Sequence, residues 1–289
     1  MTKNQAAVAH AGLTGQSIEK MLGTIRIPPR PSLLSAVQQE LTSDDPSPQA
    51  LSRIIGQDVA MAGALLKLAN SSFVGFKLKA KSVEQAVMRL GMEQCNLLLT
   101  GILARAAIQI EGVSLTEFWD SSTKRAQAMS HYAKKMNLCR SDIAHTFGLF
   151  CNIGVPLLII KYPHYNTVVD AAMKAQPGLI TGIEDHHFQA NHAAVGSLLA
   201  RTWGLPGEVV DAILLHHTYD VLKDPNVGNI VRNLIALSLL VDFGIARYRG
   251  QQQVPDWALG GAAVCNYLGI SQSDAEDVSD QIQLMFDEF

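Results

Sequence analysis

"NHAAVGSLLARTWGLPGEVVDAILLHH", residues 191–217, carries the apolar spacing of two helices, with His192 opening the first and His216 and His217 closing the second. The spacing predicts helices over Asn191–Trp203 and Pro206–His217. Working outward, the same period predicts helices over Asp142–Asn152, Pro156–Lys161, Tyr165–Ala175 and Ile180–Phe188 on one side. On the other it predicts Asn229–Tyr248, Asp256–Leu268 and Ser273–Phe286. No alternating β-branched run bounded by hairpin turns interrupts the pattern, so the chain reads as all-α. No internal repeat or low-complexity tract is present.

Local signals extend the pattern towards the N-terminus. The first ~15 residues read as a loose tail or a short helix. The proline-rich "IRIPPRPSLL" should run extended before a helix around Leu33–Thr42. Ser47 with Pro48 at the first helical position, and then Asp58, are helix caps. Ser82 and Gln85 form a capping box, closed by Gly91, and a further helix is expected from about Glu93 to Ile110. Ser114 and Glu117 form a second capping box, which opens the long helix through "FWDSSTKRAQAMSHYAKKMN". Asn70 and Ser71 should end the helix begun at Asp58 by bonding its free carbonyls or the next turn.

Composition limits the function classes. The 289 residues are 48% hydrophobic and 17% charged, which places the chain among globular proteins with extensive buried helix surface. The net charge of −3, without a run of basic residues, gives no footprint for nucleic acid. The cysteines Cys95, Cys139, Cys151 and Cys265 lie far apart without a C-x-x-C, arguing for a reducing, cytoplasmic setting rather than a disulfide framework. The longest apolar stretch, Phe147 to Ile160, falls short of the roughly 18 residues that span a bilayer, so a soluble protein without membrane partners is expected.

Several motifs fall in a recognisable order. "IPPRPSLLSAVQQEL", "LSRIIGQDVAMAGALLKLANSSFVG" and "KSVEQAVMRLGMEQCNLLL" resemble the opening of the HDOD family, an output-type relative of the HD-domain phosphohydrolases found in bacterial signalling proteins. Val59 departs from the proline usual after the aspartate. The 191–217 stretch resembles the family's histidine, "V-G", "W-G-L-P" and "H-H" series, so the likeness covers roughly Ile27 to Asp242. It implies an HD-like helical bundle, divided as a tail 1–19, an N-terminal helical subdomain 20–111 and an HD-like subdomain 112–289 with the C-terminal helices.

An HD hydrolase holds divalent metal with imidazoles and carboxylates, and the metal lowers the pKa of bound water and polarises a phosphoryl oxygen. The resemblance implies a first histidine in a "W-x-H-S" context, where this chain has Ser121. The His-Asp pair is replaced by Cys151 and Asn152, inside "GLFCNIG". Asn cannot supply the anionic oxygens that a hard cation needs, and a cysteine in an apolar setting behaves as a small buried hydrophobe. His192, His216, His217 and Asp242 remain as the candidate remnant, either lining a ligand pocket or packed as hydrogen-bonded core. A soft zinc site using Cys151 with His192 and Asp242 is chemically possible. His186 and His187, beside Glu184 and Asp185, read as a solvated face.

With Ser121, Cys151 and Asn152 in place of ligands, no cofactor is expected, and the sequence points to a non-catalytic signalling protein that binds a partner protein or small ligand. The alternative is a metal-dependent phosphohydrolase of nucleotides or cyclic dinucleotides, holding its metal with His192, His216, His217, Asp242 and Cys151.

Overall fold

The computed structural model describes residues 25–70, 79–175, 179–251 and 253–287. Among them there is no β-strand, only an isolated bridge between Ile110 and Val113, and the all-α architecture is as the periodicity implies. Two compact units are present: Pro28–Gln109, and a second whose described part comprises residues 25–27 and 110–287.

Among its described residues the first unit has five helices: α1 (Ser32–Leu41), α2 (Pro48–Gly56), α3 (Val59–Ala69), α4 (Val83–Leu90) and α5 (Met92–Ala107). Its caps follow the sequence signals. Ser47 Oγ accepts from the Ala50 amide at 3.4 Å, Asp58 Oδ1 from Met61 at 3.0 Å and Ser82 Oγ from Gln85 at 3.2 Å. Gln85 Oε1 in turn accepts from the Lys81 amide at 2.8 Å, one residue before the usual capping-box donor. Gly91, at φ 80°, makes the turn between α4 and α5.

Two features differ from the sequence reading. Asn70 clamps Ala80 instead of its own helix end: its Nδ2 donates to the Ala80 carbonyl at 2.9 Å and its Oδ1 accepts from the Ala80 amide at 2.6 Å. Ser71 lies outside the described residues. Helix α5 stops at Ala107, short of the expected Ile110, because Ile108 turns to extended backbone and buries its side chain.

The second unit contains α6 (Thr116–Lys135), α7 (Ser141–Phe150), α8 (Gly154–Lys161), α9 (Tyr165–Ala175), α10 (Ile180–Phe188), α11 (His192–Thr202) and α12 (Gly207–Leu215). A short 3-10 turn (Tyr219–Lys223) leads to α13 (Asn229–Tyr248), α14 (Pro255–Leu268) and α15 (Gln272–Asp287). The Ser114–Glu117 capping box does not form, because Leu115 occupies the cap position of α6. Ser114 Oγ instead accepts from the Thr116 amide at 3.4 Å, and Glu117 stands in the first turn, where the helix dipole favours its charge.

Helix α13 is the axis of this unit. Leu234 through Val241 are buried on all sides, under α6, α12, α14 and α15. Ser141–Lys161 and Asn229–Tyr248 are long and apolar enough to cross a bilayer, yet 67% of each apolar window is buried within the protein, as for core helices. The first of these is also divided by the turn between α7 and α8.

Glycines set the closest helix approaches. A Cβ at Gly154 would lie 2.1 Å from the His192 carbonyl oxygen, and one at Gly148 would lie 2.8 Å from the Ala126 Cα. The two glycines of "GLFCNIG" therefore let α8 press on the start of α11 and α7 press on α6. Gly196, facing the Gly154 amide, completes the α8–α11 contact.

A tri-histidine cluster as the candidate functional site

The 191–217 stretch folds as a helical hairpin. Asn191 caps α11 by accepting the Ala194 amide at 2.8 Å, and Gly204, at φ 71°, reverses the chain before Pro206. Because α11 and α12 have similar lengths, the start of one returns beside the end of the other. This brings His192 to His216 and His217. His192 Nε2 lies 3.2 Å from His216 Nε2 and 3.2 Å from His217 Nε2. His192 and His216 are buried, while the His217 side chain keeps 13% of its surface open.

The opposite ring nitrogens are held from behind. Glu184 Oε2 accepts from both the His192 Nδ1–H at 2.7 Å and the His192 amide at 3.0 Å. Tyr165 donates a short hydrogen bond to the other oxygen, and its ring stacks on Phe188. Glu184 is fully buried, so the reading of residues 184–187 as one solvated face fails there, while Asp185, His186 and His187 are exposed. A helix turns a residue inward every three to four positions, and Glu184 is the one that α10 aims at α11. Burial pushes the Glu184 carboxyl up, but His192 and Tyr165 more than reverse this and hold it below the usual range.

His216 Nδ1 donates to the Ile213 carbonyl at 2.7 Å. Burial, reinforced by its neighbouring histidines and Arg125, depresses its pKa well below the usual imidazole value, so it is neutral near pH 7. His217 Nδ1 stands 2.9 Å from Asp256 Oδ2, off the line of a well-formed hydrogen bond. The Tyr219 hydroxyl donates to the same oxygen at 3.2 Å. Gly260 lets α14 lie directly on the Tyr219 ring, which a Cβ would approach to 2.5 Å.

Asp242, Cys151 and Ser121 do not join the three imidazoles. Asp242 Oδ1 accepts from Arg125 Nε at 2.7 Å, and Arg125 is buried on α6. Burial disfavours the guanidinium, but Asp242 outweighs that and keeps it charged. Cys151 caps α7, with its thiol directed at the Gly148 carbonyl at 3.8 Å and its pKa pushed up to about 12 by burial. That makes it a thiol and a packing residue, not a thiolate ligand. Ser121 bonds the Glu117 carbonyl at 2.7 Å and accepts from Arg249. Asn152 is the one replaced position that faces the cluster, with Oδ1 3.2 Å from His216 Nε2.

The residues therefore do not fit a hydrolytic centre of the HD type. Such a centre needs carboxylate oxygens on the metal, and the candidate carboxylate at Asp242 is already neutralised by an internal cation. Sequence reasoning missed Arg125, Glu184 and Asp256. Each is an ordinary surface type placed inward by helical phase.

Residues 27–219 match the family model described as HDOD domain. An uncharacterised protein of Treponema pallidum (strain Nichols) is 28% identical over 199 residues, covering 66% of this chain and 37% of that protein's length. Three solved structures share the fold. A candidate phosphohydrolase from Shewanella amazonensis SB2B has a TM-score of 0.71 and 20% identity, covering 93% of this chain and 94% of that one. An HDOD domain protein with unknown function from Geobacter sulfurreducens has a TM-score of 0.69 and 18% identity, covering 98% and 96%. A candidate signal transduction protein from Marinobacter aquaeolei VT8 has a TM-score of 0.68 and 20% identity, covering 96% and 63%.

Proposed function

The chain belongs to the HDOD family, and from that premise we propose that it is a regulatory protein of bacterial signal transduction, without phosphohydrolase activity, whose helical scaffold binds a partner protein or a small ligand. One observation carries the reading. The Arg125–Asp242 ion pair places a fixed guanidinium on the carboxylate that a hydrolytic cation would require. Ser121, Cys151 and Asn152 stand where three further donors would be, leaving only the imidazoles of His192, His216 and His217. A neutral amide and a buried thiol cannot replace the charge that offsets a hard divalent ion. The packing that supports the site is kept, from the Gly154 contact to the Asn191 cap, as a binding scaffold requires. The Marinobacter protein's assignment to signal transduction supports the same class.

The test is turnover by the purified chain with added manganese, against phosphomonoesters and cyclic dinucleotides. The reading expects no phosphate release. Turnover that disappears in Asp242→Ala would replace it with a phosphohydrolase of reduced ligand set.

A further inference from the structure

We propose that the cleft between the start of α12 and the first turn of α13 is a binding site for a zwitterionic, apolar α-amino acid of the leucine class. The cleft measures about 670 Å³, within the roughly 300–1,000 Å³ of small-molecule sites. No histidine, lysine or arginine lines it, and it shares no residue with the imidazole cluster.

Its negative side comes from α12. Glu208 and Asp211 stand three residues apart on one helix face and line the cleft together. Among the described residues neither carboxylate has a hydrogen-bond partner. Glu208 also offsets the dipole of its own helix, but Asp211, in the next turn, is beyond that effect. Burial pushes the Asp211 carboxyl up, with Arg201 opposing the rise and Glu208 adding to it, as in an anion short of positive partners.

Its positive side comes from α13. The cap residue Gly228 offers no side-chain acceptor, and the amides of Asn229, Ile230 and Val231 meet none elsewhere among the described residues. Arg232 Nη2 bonds Asn229 Oδ1 and so sets a cation behind the same turn. An anion seated there is favoured by the free amides and by the helix dipole together.

The remaining wall is apolar. Leu215, Val227 and Val231 are buried, and Ile230 lines the cleft while 38% exposed. A ligand that meets all three regions carries an ammonium, a carboxylate and a short apolar side chain. A lone carboxylate would be repelled by Glu208 and Asp211, and a lone amine would leave the α13 amides unmet.

The inference names one small ligand of the scaffold and does not rest on the lack of hydrolysis. Phosphate release would leave this site standing, and a failure to bind leucine would leave the non-hydrolytic reading standing.

The experiment is isothermal titration of the full chain with L-leucine, with leucinamide, which lacks the carboxylate, and with isocaproate, which lacks the ammonium. We expect one leucine per chain, and each of the other two weaker by at least about tenfold. Asp211→Asn should weaken leucine binding by at least about tenfold, and Glu208→Gln, at an exposed position, should show the same direction of loss. Absence of leucine binding would overturn the assignment. So would leucinamide bound as tightly as leucine, which would make the cleft a receptor for amines such as a peptide N-terminus. Isocaproate bound as tightly as leucine, or unchanged affinity in a folded Asp211→Asn protein, would overturn it as well; Glu208→Gln decides the matter should that variant not fold.

Discussion

Arg125 Nε and Asp242 Oδ1, 117 residues apart in sequence, meet at 2.7 Å where α6 packs on α13. The guanidinium side is buried and the carboxylate side is about a third open, at 9% and 32% side-chain exposure. The pair is thus unequal: the anion can regain water if its partner is lost, and the cation cannot.

That inequality orders two substitutions. Asp242→Ala strands a buried guanidinium and should cost about 3 kcal/mol. Arg125→Leu fills the same volume with apolar carbon and leaves a hydratable carboxylate, so it should cost less, about 1–2 kcal/mol. Urea denaturation of both variants checks the order, and an equal or reversed cost would contradict the burial assigned to the pair.

Gly154 and Gly182 form a second contrast. Gly154→Ala drives a methyl to 2.1 Å from the His192 carbonyl oxygen, backbone that cannot swing aside. It should cost about 3 kcal/mol and disturb the His192 ring. Gly182, inside α10, has nothing within 4 Å of an added Cβ. Gly182→Ala should stabilise by up to about 1 kcal/mol, from helix propensity alone. Thermal unfolding of the two proteins reads the difference directly.

Glu184 answers to three donors at once: the His192 ring, the His192 amide and the Tyr165 hydroxyl. Glu184→Ala leaves them unsatisfied in a dry interior and should cost about 3–5 kcal/mol. Tyr165→Phe removes one donor and should cost about 1 kcal/mol. The two losses should fall short of additive by ~0.5 kcal/mol or more in a double-mutant cycle, because they share a partner. Additive costs would mean that Tyr165 does not support Glu184.

Much of this arrangement was legible in the sequence. Helical period, caps at Ser47, Asp58 and Ser82, and the W-G-L-P break gave the all-α fold and the α11–α12 hairpin. Once that hairpin is recognised, the meeting of His192 with His216 and His217 follows from helix length alone. What was not legible depends on tertiary phase. Asp256 and Glu184 look like helix-surface acids until the helices that cover them are placed, and Arg125 looks like one more charge on a polar helix. Asp242 could be assigned from its motif, but its partner is set by the packing of α6 on α13.

The most direct test of the central claim is anomalous diffraction from crystals grown with excess manganese, the oxygen-seeking ion that a hydrolytic centre would take up. The account predicts no manganese on Asp242 and an intact Arg125–Asp242 contact near 2.7 Å. A manganese ion ligated by Asp242, with the Arg125 side chain displaced from it, would contradict the account.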